Sequence, residues 1–157
     1  MTAEPPQTEV QGFVLPPTIE DEASWCAWAD GLPASAALNL RCRSAGPSEV
    51  TAIIETSPWP LNPNGSMFGG LLAAGLDQTL GLAAMAAKYP DGITATSSLT
   101  CNFVRPAIPP LTFQARVVRT GRVLISLEGS VLDNSGAICA YAIGTWSATE
   151  SARGSMR

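Results

Sequence analysis

Residues 66–87 read SMFGGLLAAGLDQTLGLAAMAA, and this stretch decides the fold. Nearly all of its side chains are apolar, and about 20 such residues are enough to cross a bilayer. Asp77 and Gln78 stand near its centre, however, where a charge would be costly in lipid, and no basic residue flanks its start. We therefore predict a helix that other structure surrounds on all sides, and no membrane partner.

The segments around this helix have the pattern of short antiparallel strands. Within residues 122–132, alternation puts Val123, Ile125, Leu127 and Val131 on one face. A sheet curled around the central helix would bury every apolar face, which defines an α+β class with the last three strands as a meander. We predict a short helix at residues 19–30 and strands at residues 36–43, 49–56, 94–105, 111–119, 122–132 and 137–149.

The composition is that of one well-buried domain. Of the 157 residues, 46% are hydrophobic and only 14% are charged, against about 25% charged in a usual globular chain. So much apolar surface requires burial in a core or against a partner. We divide the chain into an extended, proline-rich arm at residues 1–18, a single domain at 19–149 and a C-terminal tail at 150–157.

The charge distribution excludes a nucleic-acid surface. Residues 1–30 carry several acidic side chains and no basic ones, so the rest of the chain is mildly basic. Its basic residues are too few to follow a phosphate backbone, but a group of arginines with no acid among them is enough for one small polyanion. The residues of this group are Arg105, Arg116, Arg119 and Arg122.

The chain contains no histidine. This absence removes the Ser-His-Asp and Cys-His mechanisms, the dehydratases that depend on histidine and most catalytic zinc sites. The four cysteines form no C-x-x-C pair, and we interpret them as small core residues. The first residues lack the basic and apolar regions of a secretory signal, so we expect a cytoplasmic protein. We also expect no metal and no cofactor.

Asp77 is the strongest candidate for chemistry in this sequence. A lone carboxylate inside an apolar helix must be desolvated, paired or functional. It is either a nucleophile or general base, or a structural group. As a structural group it would be paired with an arginine, for which Arg105 is the candidate, or would lie where the helix touches water. Gly69 and Gly70 at the helix start either leave backbone N–H groups free to hold an oxyanion or serve only for close packing.

The spacing of Gly69 and Asp77 limits how they could cooperate. Asp77 lies eight residues after Gly69, which is about 12 Å along a helix. One helix therefore cannot bring both groups to one carbonyl group. If they act together, the N–H donor comes from one subunit and the carboxylate from another, with two helices side by side about a two-fold axis.

Several short motifs follow one another in a specific order. They are Asn62, Phe68-Gly69-Gly70, Asp77, Arg105-Pro106-Ala107, Arg119-Thr120-Gly121-Arg122 and then Asp133 to Gly136. With these motifs the chain resembles the hotdog-fold acyl-CoA thioesterases, in particular the phenylacetate-pathway type. The resemblance covers residues 36–149 and implies a hotdog fold, an antiparallel sheet wrapped around one long central helix.

The resemblance implies hydrolysis of an acyl-CoA thioester to the free acid and CoA. Asp77 would be the nucleophile or base, and the Gly69 amide would donate to the thioester carbonyl. Asn62 would orient water or substrate, and Thr96 would hold a hydroxyl near the attacking water. The residues that would bind substrate are Phe68, Gly70, Arg119, Gly121 and Arg122. The last three lie at a turn that suits the phosphates of CoA.

One position departs from the family pattern, because Phe68 stands where the family has a histidine. This favours, as an alternative, a non-catalytic acyl-CoA-binding module, while a hotdog dehydratase or hydratase is disfavoured because those relatives rely on a histidine. Trp25, Trp28, Trp59 and Phe68 would line an acyl pocket or belong to the core. We expect a homo-oligomer, either a dimer or a dimer of dimers.

Overall fold

A six-stranded antiparallel sheet wraps around one long helix. The computed structural model describes residues 16–90 and 92–150, so most of the predicted arm and tail lies outside the described residues. In chain order the elements are α1 (Glu22–Asp30), α2 (Pro33–Ala37), β1 (Leu40–Ala45), β2 (Glu49–Ile54), α3 (Gly69–Lys88), β3 (Gly92–Phe103), β4 (Leu111–Thr120), β5 (Leu124–Leu132) and β6 (Ile138–Glu150). The predicted α+β class is confirmed.

The long helix α3 has 20 residues, which makes it about 30 Å long, and it packs against β2, β3, β4 and β5. It begins at Gly69, later than predicted, and ends at Lys88. The helix ends there because Tyr89 precedes Pro90, and a residue before proline disfavours the helical conformation. Tyr89 is extended, with φ −60° and ψ 140°. Its buried residues are Leu71, Leu72, Gly75, Leu76, Thr79, Leu80, Leu82, Ala83, Ala84 and Ala86.

The strand order in the sheet is β1-β2-β4-β5-β6-β3, and neighbouring strands are antiparallel. The predicted meander of β4, β5 and β6 is confirmed. The predicted inner face of β5 is confirmed for Ile125, Leu127 and Val131, which are buried, whereas Val123 precedes the strand and is exposed. Among the described strands, β1 and β3 form the two edges of the sheet.

The predicted strand at residues 36–43 is wrong in its first half. Pro33–Ala37 form the short helix α2, and β1 begins only at Leu40. Proline suits the first turn of a helix, because the N–H that it lacks has no helical partner there. Asn39, with φ 53°, then turns the chain into β1.

The helix α1 confirms the predicted helix at residues 19–30 and covers the edge strand β1. It begins after Asp21, whose carboxylate accepts the N–H of Ser24 at 3.1 Å. Its carboxylates then satisfy edge N–H groups, because Asp30 Oδ1 accepts from Cys42 at 2.7 Å and Glu22 Oε1 accepts from Ala45 at 3.0 Å. The β1 edge is therefore protected from further strand pairing.

The four cysteines lie in the core or against it, as the sequence predicts. Cys42 and Cys139 are buried, and Cys26 and Cys101 are half-buried. The Cys26 and Cys42 sulfur atoms are 3.0 Å apart. Burial raises the pKa of the Cys42, Cys101 and Cys139 thiols, so these groups stay protonated near neutral pH.

By length and composition alone, α3 could cross a membrane. The core helix of a soluble protein has the same two properties, so this observation is weak evidence for a span. Of the most apolar part of α3, 56% is buried inside the fold. The sheet therefore already provides the apolar surroundings that the helix needs.

Gly75 marks a very close approach of α3 to the sheet. A Cβ atom there would lie 2.5 Å from Cε1 of Phe113, a fully buried side chain of β4. A larger residue would force this buried ring and its neighbours to shift, so the packing favours glycine at this position. At Gly81, by contrast, a Cβ atom would meet only Nε1 of Trp146, at an ordinary distance of 3.6 Å.

We expect Gly75→Ala to lower the free energy of unfolding by about 1–3 kcal/mol, because its methyl group overpacks the core. Gly81→Ala is the matched control, and it should be neutral or stabilise by up to about 1 kcal/mol, since alanine favours the helix. Urea denaturation of both variants at one protein concentration measures the difference. Equal effects would contradict the close approach at Gly75.

Candidate functional site

Asp77 and Thr96, both predicted as catalytic, lie together in the structure. Asp77 is half-buried in the middle of α3, and Thr96 is on the edge strand β3. The hydroxyl of Thr96 donates a hydrogen bond to Oδ1 of Asp77 at 2.8 Å. A charge-assisted bond of this kind fixes the direction of the carboxylate.

A β-bulge explains why Thr96 faces the helix. Leu99 and Cys101 of β3 pack against the core, so strict alternation would turn Thr96 to the outer face. The register of β3 against β6 shifts between Thr96 and Ser98, and Thr96 then lies opposite the inward-facing Trp146. The extra residue therefore re-aims the hydroxyl toward Asp77.

A cleft of about 240 Å³ lies beside these two residues. We call it the Asp77 cleft. Its polar lining consists of Asp77, Gln78, Thr94 and Thr96, and the rest of its lining is apolar. A single carboxylate in a partly apolar, open cleft, with one oxygen held by a hydroxyl, is placed where it could act as a base or a nucleophile.

The alternative in which Arg105 neutralises Asp77 is wrong. Among the described ion pairs none involves Asp77. Arg105 instead lies near Asp133, where its charge adds to the hydrogen bonds from Ser135 and Ala137 that lower the pKa of the Asp133 carboxyl. Asp77 is therefore held by a hydroxyl group and not by an arginine.

The start of α3 carries the predicted oxyanion donors. The carbonyl of Phe68 accepts from Leu71 at 3.0 Å and from Leu72 at 3.1 Å, and no side chain caps the helix. The N–H groups of Gly69 and Gly70 therefore precede the first bonds of the helix and point out of its end. Gly70 has open space where a Cβ would be, whereas Gly69 lies against the ring of Phe103.

Asn62 lies in the loop before α3, and its side chain is occupied within that loop. Its Oδ1 accepts the N–H groups of Asn64 at 2.9 Å and Ser66 at 3.1 Å, and its Nδ2 donates to Ser66 Oγ at 3.0 Å. These bonds hold the turn that leads to Gly69. The predicted role of Asn62 toward water or substrate stays a prediction.

The predicted CoA-binding residues Arg119, Gly121 and Arg122 lie at the β4–β5 turn, far from Asp77 within one chain. Lys88 ties this turn to the end of α3, because its Nζ donates to the Gly121 carbonyl at 2.7 Å. Lys88 is 11 residues beyond Asp77, about 16 Å along the helix. The sequence did not indicate Lys88, which adds a third cation to this turn.

The four aromatic residues proposed for a pocket or the core separate in the structure. Trp25 is fully buried, and its ring centroid is 5.0 Å from that of Trp28. Trp59 and Phe68 are exposed, at 63% and 44%, and neither lines the Asp77 cleft. The aromatic residue that does line this cleft is Trp146, which sequence reasoning missed because only tertiary structure brings β6 beneath Asp77.

Two further features concern where else chemistry could take place. Within residues 16–90 and 92–150, no group of three His, Cys, Asp or Glu side chains could hold a metal ion. A larger groove of about 550 Å³ lies on the outer face of the sheet, around the ion pair of Arg116 and Glu128. It contains none of the predicted catalytic residues, so the Asp77 cleft remains the candidate site.

The fold matches solved structures. A phenylacetic acid degradation-related protein of Ralstonia eutropha JMP134 is 26% identical, with a TM-score of 0.69 over 76% of this chain and 95% of that one. The PaaI protein of the E. coli phenylacetic acid degradation operon has a TM-score of 0.65 and is 20% identical. The match covers 73% of this chain and 86% of that one. A Streptococcus mutans UA159 protein with bound acetyl-CoA has a TM-score of 0.65 and is 22% identical. The match covers 71% of this chain and 90% of that one.

Sequence comparisons agree with this likeness. Residues 64–140 match the Thioesterase superfamily. Two Saccharolobus solfataricus proteins, each named "Putative esterase", are 33% and 34% identical over 84 residues, which is 52% of this chain. The match spans only 55% and 59% of their own lengths. The predicted resemblance to hotdog-fold thioesterases is confirmed, and so is the hotdog fold.

We expect the pKa of the Cys101 thiol to fall in Asp77→Asn. Burial is the first cause of its raised pKa, and the negative charge of Asp77 is the second. The substitution removes only the second, so the thiolate should form at lower pH while the pKa stays above that of an exposed thiol. NMR of the Cys101 ¹³Cβ signal against pH measures it.

Asp133→Asn is the matched control for this titration. It removes a carboxylate beside Cys139 instead, so Cys101 should titrate as in the wild type. An unchanged Cys101 pKa in Asp77→Asn would contradict the closeness of Asp77 to β3.

Proposed function

We propose that this protein is an acyl-CoA thioesterase that hydrolyses the thioester to the free acid and CoA. The observation that carries the proposal is the hydrogen bond from Thr96 to Asp77 at the side of a partly apolar cleft. The superfamily match over residues 64–140 supports a thioester as the substrate class. The acetyl-CoA bound to the Streptococcus mutans neighbour supports CoA as the carrier.

In the proposed reaction Asp77 acts as a general base toward water. Thr96 holds Oδ1, and no described residue donates to Oδ2, so this oxygen is left to accept the proton. The water oxygen bonds to the thioester carbon, and the N–H of Gly69 stabilises the oxyanion that forms. The carbonyl then re-forms as the C–S bond breaks, and the CoA thiolate takes up the proton that Asp77 accepted from water.

The leaving group explains why Phe68 in place of the family histidine is tolerable. A thiol such as cysteine has a pKa of about 8.5, so a thiolate departs without a strong general acid. The oxyanion donor is a backbone N–H group, which does not depend on the side chain at position 68. Neither step needs a metal or a redox cofactor.

The site needs two chains. Gly69 and Asp77 are about 12 Å apart along α3, too far to reach one carbonyl group. Two α3 helices that run antiparallel about a two-fold axis would bring Gly69 of one chain to Asp77 of the other. Each dimer would then hold two identical sites.

The edge strand β3 is the surface proposed for this dimer. It has 12 residues without a single charged side chain, and most of them are exposed. Exposed edge strands are usually short, charged or covered. The other edge strand, β1, carries Arg41 and Arg43 and is covered by α1. A long neutral edge is suited to pairing with its own copy, which would extend the sheet across the dimer.

Apolar side chains around the start of α3 support the same interface. They come from the loop before the helix, from the end of β3 and from the chain that follows it, and each is at least 44% exposed. Such a patch is typical of a surface that a partner covers. Its members are Trp59, Leu61, Phe68, Phe103, Val104 and Ile108. A dimer of dimers would be built from two such pairs.

Lys88, Arg119 and Arg122 are proposed to bind the phosphates of CoA. They cluster at one turn at the C-terminal end of α3, and both arginines are exposed. The distance of about 16 Å from Asp77 suits a ligand whose charged end is remote from its thioester. Four free thiols fit a reducing compartment, so we also propose a cytoplasmic location.

The first test follows free-thiol release from short, medium, long and aromatic acyl-CoAs. We expect the wild type to release CoA and Asp77→Asn to lose about 10²–10⁴-fold in rate, because the base is gone. Asp133→Asn makes the same change outside the cleft and should keep wild-type turnover. Turnover in Asp77→Asn equal to the wild type would remove Asp77 from the mechanism.

Phe68 also favours a second candidate, a module that binds acyl-CoA without hydrolysing it. The same panel separates the two functions when calorimetry of CoA binding accompanies it. Binding without release in the wild type would support the module. Release that depends on Asp77 would support the enzyme.

A further inference from the structure

Two cysteine side chains meet where helix α1 covers the edge strand β1. Cys26 lies in α1, Cys42 lies in β1, and their sulfur atoms are 3.0 Å apart. We propose that this pair is an oxidation site, at which a peroxide joins Cys26 to Cys42 in a disulfide bond and so fixes α1 on the sheet edge. The proposed hydrolysis uses neither residue, so the inference does not depend on it.

The neighbours of Cys26 on α1 hold the pair in position. Glu22, Cys26 and Asp30 are spaced four residues apart, so they lie in one row on the helix surface. On one side of Cys26, the Glu22 carboxylate accepts the N–H of Ala45 at 3.0 Å. On the other side, the Asp30 carboxylate accepts the N–H of Cys42 at 2.7 Å. The row therefore faces β1, and a hydrogen bond on each side fixes the sulfur contact between them.

Little movement separates the two thiols from a disulfide bond. The S–S distance of a disulfide is about 2.05 Å, so the sulfur atoms of Cys26 and Cys42 need to approach by about 1 Å. The Cys26 thiol donates to the Cys42 sulfur, so no other group lies between them. Cys139 differs, because its thiol donates to backbone carbonyl groups at 3.6 Å and 3.9 Å.

The two thiols of the pair differ in how they react. Cys42 is only 8% exposed, and its pKa is raised by burial, then by the contact with Cys26 and by the charges of Asp30 and Glu22. It therefore stays a protonated thiol and does not start the reaction. Cys26 is half-buried, so a small oxidant reaches its sulfur first. Cys42 then completes the bond from inside.

Hydrogen peroxide is the oxidant in the proposed reaction. The Cys26 sulfur bonds to one peroxide oxygen as the O–O bond breaks, and its proton leaves with the other oxygen as water. This step gives a sulfenic acid at Cys26. The Cys42 sulfur then bonds to the Cys26 sulfur, the S–O bond breaks, and the leaving hydroxide takes the Cys42 proton as a second water. The two thiols lose two electrons, and the peroxide gains them.

The bond closes a loop from residue 26 to residue 42, which contains the end of α1, all of α2 and the start of β1. Such a cross-link stabilises a fold because it lowers the entropy of the unfolded chain. It also keeps α1 over the edge of β1, where uncovered N–H groups would be open to another strand. In the reducing compartment proposed above, the thiols are the resting state, and small thiols reverse the bond.

The test counts free thiols with a thiol-reactive dye in unfolded protein, before and after the folded protein is treated with hydrogen peroxide. The wild type has four thiols and should fall to two. Mass spectrometry of its peptides should show Cys26 joined to Cys42. The Tm should rise by about 5–10 °C, since the bond closes a loop of moderate length. Dithiothreitol should restore the four thiols and the original Tm.

Cys26→Ser removes the partner that reacts first, and it should form no disulfide and gain no Tm with peroxide. Cys101→Ser is the matched control, because it makes the same change at another half-buried thiol. It should fall from three thiols to one and gain as much Tm as the wild type.

Hydroxyethyl disulfide, a small neutral reagent, gives the pair a second route to the bond by thiol–disulfide exchange. A wild type that keeps four thiols with both reagents would overturn the inference. A link that maps to Cys101 or Cys139 would also overturn it, as would sulfinic acid at Cys26 without a link. A link that forms with hydroxyethyl disulfide alone would overturn peroxide as the oxidant. No acyl-CoA enters the test, so its failure is distinct from a failure of the thioesterase proposal.

Discussion

The side chains of Leu76 and Leu80 are fully buried in the sheet around α3, whereas Asp77, next to Leu76 in the sequence, reaches the hydroxyl of Thr96. Adjacent helix residues point about 100° apart, so a sheet that encloses the apolar faces leaves one face of the helix for Asp77. That face runs from Asp77 through Gly81 to Met85 and lies beside the edge strand β3. The enclosure of α3 therefore leaves Asp77 on the one face of the helix that is open to a ligand.

Local sequence predicts the parts of this arrangement that depend on local physics. The apolar run at residues 66–87 predicts α3, and alternation predicts the buried face of β5. Asp77 is conspicuous because a charge in an apolar helix needs an explanation. Thr96 is different, since nothing in its own segment distinguishes it from other strand threonines. Only the family resemblance indicated it, and the structure then brought its hydroxyl to Asp77.

The remaining features depend on contacts between distant residues, which the local sequence pattern does not predict. The bulge between Thr96 and Ser98 aims Thr96 at the helix, against strict alternation. The bond from Gln78 to Ser35 joins residues 43 positions apart. Arg105 was a reasonable partner for Asp77 by charge, but its position near Asp133 depends on how the chain leaves β3. The predicted strand at residues 36–43 is wrong in its first half because Pro33 starts the helix α2, which extends to Ala37.

One site built from two chains is the central claim, and dimers that combine Asp77→Asn with Gly69→Pro test it. Phe68, with φ −57° and ψ 137°, already has a conformation that suits a following proline, so Gly69→Pro removes the N–H with little distortion. Verified heterodimers keep one intact site and should recover about half of the wild-type thioester hydrolysis. Gly69→Ala keeps the N–H and serves as the control for Gly69→Pro. Heterodimers no more active than either parent variant would contradict the shared site.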